Sequence, residues 1–500
     1  MLSEKELRDV ARIGTELTSE KDKNLLFERL LNTAMDISGC DAGTLYQFRQ
    51  GKLFFKIMKT LSQNVNRGAH GEDIDLPPVE LKEENVCAFS AIRRELVNIP
   101  DVYTSDHFDF SGPRRYDAMT GYRTGSMLVI PLEDAEGKLI GVLQLINKLG
   151  EDGFISFTEE DEFILKSLGS MAAVTLSNML YIEEIQAQMF SFVQAFAAAV
   201  DERTPYNGSH TRKVTVYTEL LARYINRLHQ EGKTEEFFDD DRREQMVLSA
   251  ALHDIGKMIV PLTVMNKATR LEGKLPLIEE RFRRLGVLLE RDYLKGCLTA
   301  ETYEKEKAEL EDALALVRSG DAAGFLPNET LDKIRAIAKK QYTGPDGEVI
   351  PWLTPEEEKN LLVQKGTLTP EERQIMENHA LMTGRILEKV RFSEKYKDVK
   401  RFAEHHHEYL NGSGYPDHLT AEELPLEIRI LTAADVFDAL TGTDRPYKKP
   451  MPRERAFAIL KEMAGDGQVD AQVVAWLEEM LADMSQEDID TAAAADEWFR

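Results

Sequence analysis

"MVLSAALHDIGKMIV", residues 246–260, decides how the second half of this chain is read. Met246, Val247, Ala250 and Ala251 fall on one side of a helix, and His253 and Asp254 continue that side. Lys257 follows His253 by four residues and Asp254 by three, so all three can share one face. An imidazole, a carboxylate and an ammonium on an alanine-rich inner face are costly to bury unless something satisfies them. A metal ion does so.

Other histidines repeat the pattern. The chain has 10. His70, His107, His229 and His418 read as loop or surface residues. His379, in "EERQIMENHALMTGRIL", sits four after Ile375 and three after Met376, on the apolar face. Alone it would read as a satisfied core residue. Asp435, in "EIRILTAADVFDAL", falls four after Leu431 and seven after Ile428, on a buried stripe that wants a cation. "PYNGSHTRKV" places His210 at a helix start. "HHHEYLNGSGYPDHL", 405–419, sets three histidines before a glycine-rich turn. Successive helical residues point about 100° apart, so two of the three can reach one ion and the third must point away. Geometry alone leaves open which pair does so, 405/406 or 406/407.

Together these stretches supply five nitrogen ligands and two carboxylates facing one helical core. That is too many for one tetrahedral ion. It suits two octahedral ions bridged by a carboxylate, the arrangement that activates water against phosphate esters. Asp254, beside a histidine, is the natural bridge.

Composition narrows the partners. Five hundred residues imply two or three domains. Hydrophobic content of 42% and charged content of 30% describe a globular chain. A formal net charge of −26 disfavours nucleic-acid polymers and anionic membranes. Cys40, Cys87 and Cys297 lie far apart, which points to a reducing compartment. The charged N-terminus has no apolar signal region, and no run approaches the roughly 18 apolar residues of a membrane span. The expected location is cytoplasmic.

The first half reads as α+β. "SMLVIPL", the turn "EDAEG" and "KLIGVLQLIN" form the clearest hairpin. A helix is opened by "SFTEEDE" at about 157, and apolar spacing runs on to about 200 as one long helix or two abutting ones. Beyond 201 strand signals almost vanish. Helical patterns cover 211–231, 242–259, 278–317, 329–340, 370–390, 396–410, 426–441, 452–464 and 470–483.

"HDIGK" at 253–257, "VMNK" at 264–267, "GTLTPEERQIMENH" at 366–379, "HHEYLNGSGYP" at 406–416 and "LTAADVFDALTGTDRPYK" at 431–448 together resemble the HD-GYP family of HD phosphohydrolases. The likeness covers about 190–267 and 366–480. It implies an all-α domain that hydrolyses cyclic di-GMP to pGpG or GMP. It implies that His210, His253, Asp254 and Asp435 hold one divalent ion, and that Asp254, His379, His406 and His407 hold the other, with iron or manganese expected. His405 is then the extra histidine. Lys257 would contact phosphate or position the attacking water. Gly414, Tyr415 and Pro416 would shape the guanine side, and Arg445 and Lys448 would grip phosphates. Some members take a third metal through a glutamate where this chain has Tyr206, so two ions are expected. Residues 268–365 have no counterpart in the compact family pattern and read as a charged helical insert, a lid, a dimer surface or an added outer hairpin.

Residues 20–180 resemble a GAF domain, a small-ligand sensor. "DAMTGYRTGSMLVIPL" at 117–132 carries the likeness. So do Asn147 and Lys148 with Phe157, Asp161 and Glu162, in the spacing of the N-K-x(n)-F-x3-D-E motif of cyclic-nucleotide phosphodiesterases. A cyclic nucleotide is the ligand so suggested. A Lys148–Asp161 ion pair would pin the hairpin to the exit helix.

The resulting expectation is multidomain. An N-terminal helix (1–19) leads to a GAF-like α+β sensor (20–180) and a connecting helix (181–200). An HD-GYP domain (201–483, insert 268–365) and an acidic tail (484–500) follow. The expected protein is a homodimeric, metal-dependent phosphodiesterase for cyclic di-GMP, regulated by a small ligand. No serine or cysteine nucleophile sits in the cluster. The alternatives are a non-catalytic cyclic di-GMP receptor and an HD phosphohydrolase for another nucleotide.

Overall fold

Two compositions of chain give two architectures. The computed structural model describes residues 4–68, 73–151, 153–203, 210–344, 347–442, 451–482, 484, 489 and 491. It divides into two units, Met1–Gln188 and Met189–Arg500.

The first unit contains α1 (Glu4–Ser19), α2 (Lys23–Ser38), β1 (Cys40–Arg49), β2 (Lys52–Thr60), β3 (Val65–Gly68) and β4 (Val79–Glu80). It continues through α3 (Val86–Arg93), β5 (Val97–Ile99), α4 (Ser111–Thr120), β6 (Met127–Glu133), β7 (Leu139–Gly150) and β8 (Gly153–Ile155). The 43-residue α5 (Glu159–Asp201) leads out of it. The antiparallel sheet runs β3-β2-β1-β7-β6-β5, with β4 on β2 and β8 on β7. The expected hairpin is β6–β7, in register Ile130 to Leu143. Strand alternation splits its side chains between two cores. Leu128, Ile130 and Leu132 meet α2 and α5 on one face, while Met127 and Val129 join Val86, Cys87 and Phe110 on the other. Asp22 caps α2 by accepting from Asn24 N and Leu25 N.

The first-domain motif residues form a clamp. Buried Asn147 accepts from Gly125 N at 2.6 Å and donates to Arg123 O at 2.7 Å. Lys148 pairs with Asp161, which also accepts from Thr158 N at 2.7 Å. Phe157 packs in the α2–α5 core, and Glu162 accepts from Asn98 Nδ2 at 2.7 Å. These residues tie the end of β7 and the β5 strand to the start of α5.

The second unit is helical. It has α6 (His210–Gln230), α7 (Asp240–Leu252), a 3₁₀ turn (Ile255–Ile259), α8 (Leu262–Met265), α9 (Leu275–Leu294), α10 (Ala300–Ala322) and α11 (Asn328–Ala338). Then come β9 (Gln341–Thr343), β10 (Val349–Pro351), α12 (Pro355–Leu361), α13 (Pro370–Leu387), α14 (Val399–Glu404), α15 (Leu426–Thr441), α16 (Arg453–Gly465) and α17 (Ala471–Ala482). Thr354 and Thr369 open α12 and α13 with full capping boxes.

Several boundaries differ from the sequence reading. The helix expected over 278–317 is two, α9 and α10. Gly296, at φ +74°, turns the chain between them and Thr299 restarts it. The helix expected over 242–259 stops at Leu252, and the one expected over 396–410 stops at Glu404. The insert also contains the β9–β10 pair. Its helices close on a core of their own, with Ile278, Phe282, Leu285, Val317 and Ile334. By length and composition α5 could cross a membrane, where the sequence reading found no such run. It contributes Leu165, Leu168 and Leu176 to the core of one unit and Val200 to that of the other.

Candidate metal centre

Five ligand-bearing segments converge in the second unit. His253 caps the end of α7, and Asp254 leads into the 3₁₀ turn. His210 opens α6, His379 lies on α13, and Asp435 on α15. His406 and His407 follow α14 in a turn rather than on a helix. Lys257 is likewise on the 3₁₀ turn, not on a common helix with His253. The turn can pass close to α13 only because residue 256 is glycine: a Cβ there would stand 1.9 Å from His379 O. Thr383 locks the crossing, donating to His253 O at 2.8 Å and accepting from Gly256 N at 3.0 Å.

The hydrogen bonds fix the tautomers. A backbone carbonyl can only accept, so a ring nitrogen facing one must carry the proton. His253 Nδ1 faces Ala250 O at 2.6 Å, His379 Nδ1 faces Met376 O at 2.6 Å, and His406 Nδ1 faces Ala403 O at 2.7 Å. In all three rings Nε2 is therefore directed away from the carbonyl. These three Nε2 atoms are buried and have no hydrogen-bond partner, and the same is true of Asp254 Oδ1. Orphaned lone pairs on four converging groups are what a cation would complete.

The two carboxylates lie between two sets of rings. Asp254 Oδ2 is 3.5 Å from His210 Nε2 and 3.3 Å from His253 Nε2. Asp254 Oδ1 is 3.4 Å from His379 Nε2 and 3.9 Å from His406 Nε2. Asp435 Oδ1 is 3.1 Å from His210 Nε2, and its Oδ2 is 3.6 Å from His407 Nδ1. Two groups with metal-ligand spacing result: His210, His253 and Asp254, and His379, His406 and His407. His405 turns outward, with Nδ1 on Arg401 O and Nε2 2.9 Å from Asp417 Oδ2.

Electrostatics give Asp254, Asp435, His379, His406 and His407 the protonation states that a cation needs, with His210 shifted the other way. Burial pushes His379 down to about 4, His407 down to about 3, and His406 well below the usual imidazole value. Burial also works to raise Asp254, but Lys257 and His253 outweigh it and hold the carboxyl well below the usual range. Asp435 is depressed in the same way, against its burial, by the bond to His210 and the charge of His407. His210 goes up despite burial, because Asp254, Asp435 and Asp438 all bond it.

Lys257 Nζ lies 2.5 Å from Asp254 Oδ2. The Tyr415 ring stands 4.8 Å from the His407 ring, centroid to centroid. Gly414 has no room for a side chain: a Cβ would stand 2.4 Å from Tyr409 N and 2.5 Å from His407 O. Pro416 follows Tyr415 through a cis peptide. Arg445, Lys448 and Tyr206 lie outside the described residues.

Sequence reasoning missed three supporting groups. Asp438 binds His210 Nδ1 at 2.7 Å; its signal was its position one turn beyond Asp435. Glu408 is buried and accepts from Asp417 N at 2.6 Å and Leu419 N at 3.0 Å, holding the glycine-rich turn. Thr432 donates to His406 O at 2.8 Å.

Comparisons with known proteins agree with this architecture. The GAF domain family matches residues 22–176 and the HD domain family matches residues 352–473. The chain is 34% identical over 276 residues to the 3'3'-cGAMP-specific phosphodiesterase 3 of Vibrio cholerae, covering 55% of this chain and 36% of that one. It is 30% identical over 254 residues to the cyclic di-GMP phosphodiesterase of Thermotoga maritima, covering 50% and 66%. It is 28% identical over 239 residues to the cyclic di-GMP phosphodiesterase response regulator RpfG of Xanthomonas campestris, covering 45% and 61%. This chain thus spans about a third to two thirds of the length of these relatives. The HD match begins at residue 352, after His210, His253 and Asp254 and within the insert. Residues 22–176 are thus similar to the GAF domain family and residues 352–473 to the HD domain family.

Proposed function

We propose that this protein is a metal-dependent phosphodiesterase acting on cyclic di-GMP. The observation that carries the reading is the set of buried Nε2 atoms on His253, His379 and His406, oriented by backbone carbonyls and lacking any partner around Asp254. His210, His253, Asp254 and Asp435 would hold one ion, and Asp254, His379, His406 and His407 the other. Iron and manganese suit this mixed imidazole–carboxylate set. When bound, two such ions activate water and offset the charge on the phosphate oxygens.

The protein's own groups do the rest. Lys257 presents an ammonium beside Asp254, where it can meet a phosphate oxygen or orient the attacking water. Tyr415, fixed between Gly414 and Pro416, offers an aromatic face next to His407 for a base. Arg445 and Lys448 are the expected phosphate contacts. No serine or cysteine nucleophile is invoked. The relatives' names include both cyclic di-GMP and 3'3'-cGAMP phosphodiesterases, so a second cyclic dinucleotide is the specific alternative.

The test is hydrolysis of cyclic di-GMP, 3'3'-cGAMP and linear pGpG by protein loaded with iron or manganese, beside chelated protein. Metal-dependent release of pGpG or GMP supports the reading. Binding without turnover under every loading would make the protein a receptor instead. The GAF domain would take a small regulatory ligand, a cyclic nucleotide being one candidate. The exposed Ile182, Ile185, Phe192 and Phe196 on α5 suit pairing with a second copy, which light scattering would detect.

A further inference from the structure

The end of α5 is built into the reaction centre. Val200 shares a core with Leu248, Leu252 and Ile255, and Ile255 is the first residue of the 3₁₀ turn that carries Lys257. Ala197, Val200 and Thr211 line one small void together with Asp254, too tight to admit water. Asp201, the last residue of α5, accepts from Thr211 Oγ1 at 2.8 Å, and Thr211 adjoins His210. Two residues past the helix, Arg203 donates from one guanidinium nitrogen to Lys257 O at 3.2 Å and from the other to Val260 O at 3.0 Å.

That last contact is specific. Lys257 O already accepts from Val260 N at 3.2 Å, and the planar guanidinium adds a second donor there while also serving Val260 O. Both carbonyls belong to the segment that sets where the Lys257 ammonium stands. The fork therefore holds the end of the turn, while Thr383 holds its beginning.

We propose that Arg203 is a positioning residue for the reaction, acting through Lys257, and that it is the point at which the connecting helix acts on the metal centre. The proposal rests on the phosphodiesterase reading. A shift or rotation of α5 moves Arg203 and Asp201 with it, and so displaces Lys257 and the start of α6 together. A misplacement of about 1 Å at a catalytic group lowers a rate by as much as about a hundredfold.

The test uses the full chain with metal, in four forms: wild type, Arg203→Ala, Lys257→Ala and the double variant, with Arg203→Lys as a fifth. Arg203→Ala is expected to lower kcat by about ten- to a hundredfold, with KM and metal content unchanged. Arg203→Lys recovers part of this, since one ammonium serves one carbonyl well. In the Lys257→Ala background, removing Arg203 has no further effect on kcat. Amide hydrogen exchange of metal-free protein is the second readout: Arg203→Ala speeds exchange over Ile255–Val260 and leaves α13 unchanged. A wild-type kcat in Arg203→Ala, a full additional loss in the double variant, or unaltered exchange over Ile255–Val260 would each overturn the proposal. If wild-type protein hydrolyses no cyclic dinucleotide, the functional reading has failed. The exchange measurement still decides whether Arg203 holds the turn.

Discussion

His210 and Asp438 meet at 2.7 Å, Nδ1 to Oδ2, while Nε2 of the same ring faces Asp254 and Asp435. A carboxylate accepts only, so Nδ1 donates in this contact. Asp438→Ala removes the orienting partner while keeping every proposed ligand. Metal affinity should fall on the order of 10- to 100-fold. Titration of chelator-treated protein should show the loss confined to one of two ions, because His379, His406 and His407 do not contact Asp438.

Gly414 tests the turn after the histidines. A methyl group there would press on Tyr409 N, Glu408 Cα and His407 O, all at 2.5 Å or less and none a flexible side chain. Gly414→Ala should destabilise the second unit by roughly 1–3 kcal/mol and displace His407 and Tyr415. A lower melting temperature and weakened metal binding are expected together. An unchanged melting temperature would show that the turn can relax.

Asp201 supplies a pH test in metal-free protein. Burial and the nearby Asp254 charge push its carboxyl up to about 6, against the Thr211 hydrogen bond. An acid raised on folding keeps its proton longer in the native state than in the unfolded one. It therefore reduces stability as pH rises from about 4 to about 6, and the deficit stays constant above that window. Asp201→Asn removes the effect. It should raise stability at pH 7 by at most about 3 kcal/mol and change little at pH 4. Thermal unfolding at the two pH values decides.

Arg270 tests the insert. Its side chain is fully buried, and it donates to Val363 O at 2.7 Å and Gly320 O at 2.9 Å, with Ala323 O and Gln364 O beside them. It thus ties both ends of the insert to its middle. Arg270→Ala should loosen the insert by on the order of 3 kcal/mol, since several carbonyls lose their donor. Limited proteolysis within 300–340 should accelerate while metal content is unchanged. Loss of metal on this substitution would mean that the insert supports the centre.

Much of this was legible from the chain alone. Hydrophobic periodicity marked the β6–β7 hairpin, the long α5 and most helices of the second unit. The apolar spacing around His253, His379 and Asp435 announced inward-facing polar groups. Those are local properties, because side-chain direction follows from helix and strand periods. Tertiary structure alone decided the rest. It ended α7 at Leu252 and α14 at Glu404, so that His253, Lys257, His406 and His407 act from turns. It turned His405 out to Asp417, which no helical spacing selects. It brought Asp438 behind His210, and Arg203 onto the carbonyls of the Lys257 turn. Those contacts join residues up to more than two hundred positions apart, and only the packing of α6, α7, α13 and α15 brings such residues together.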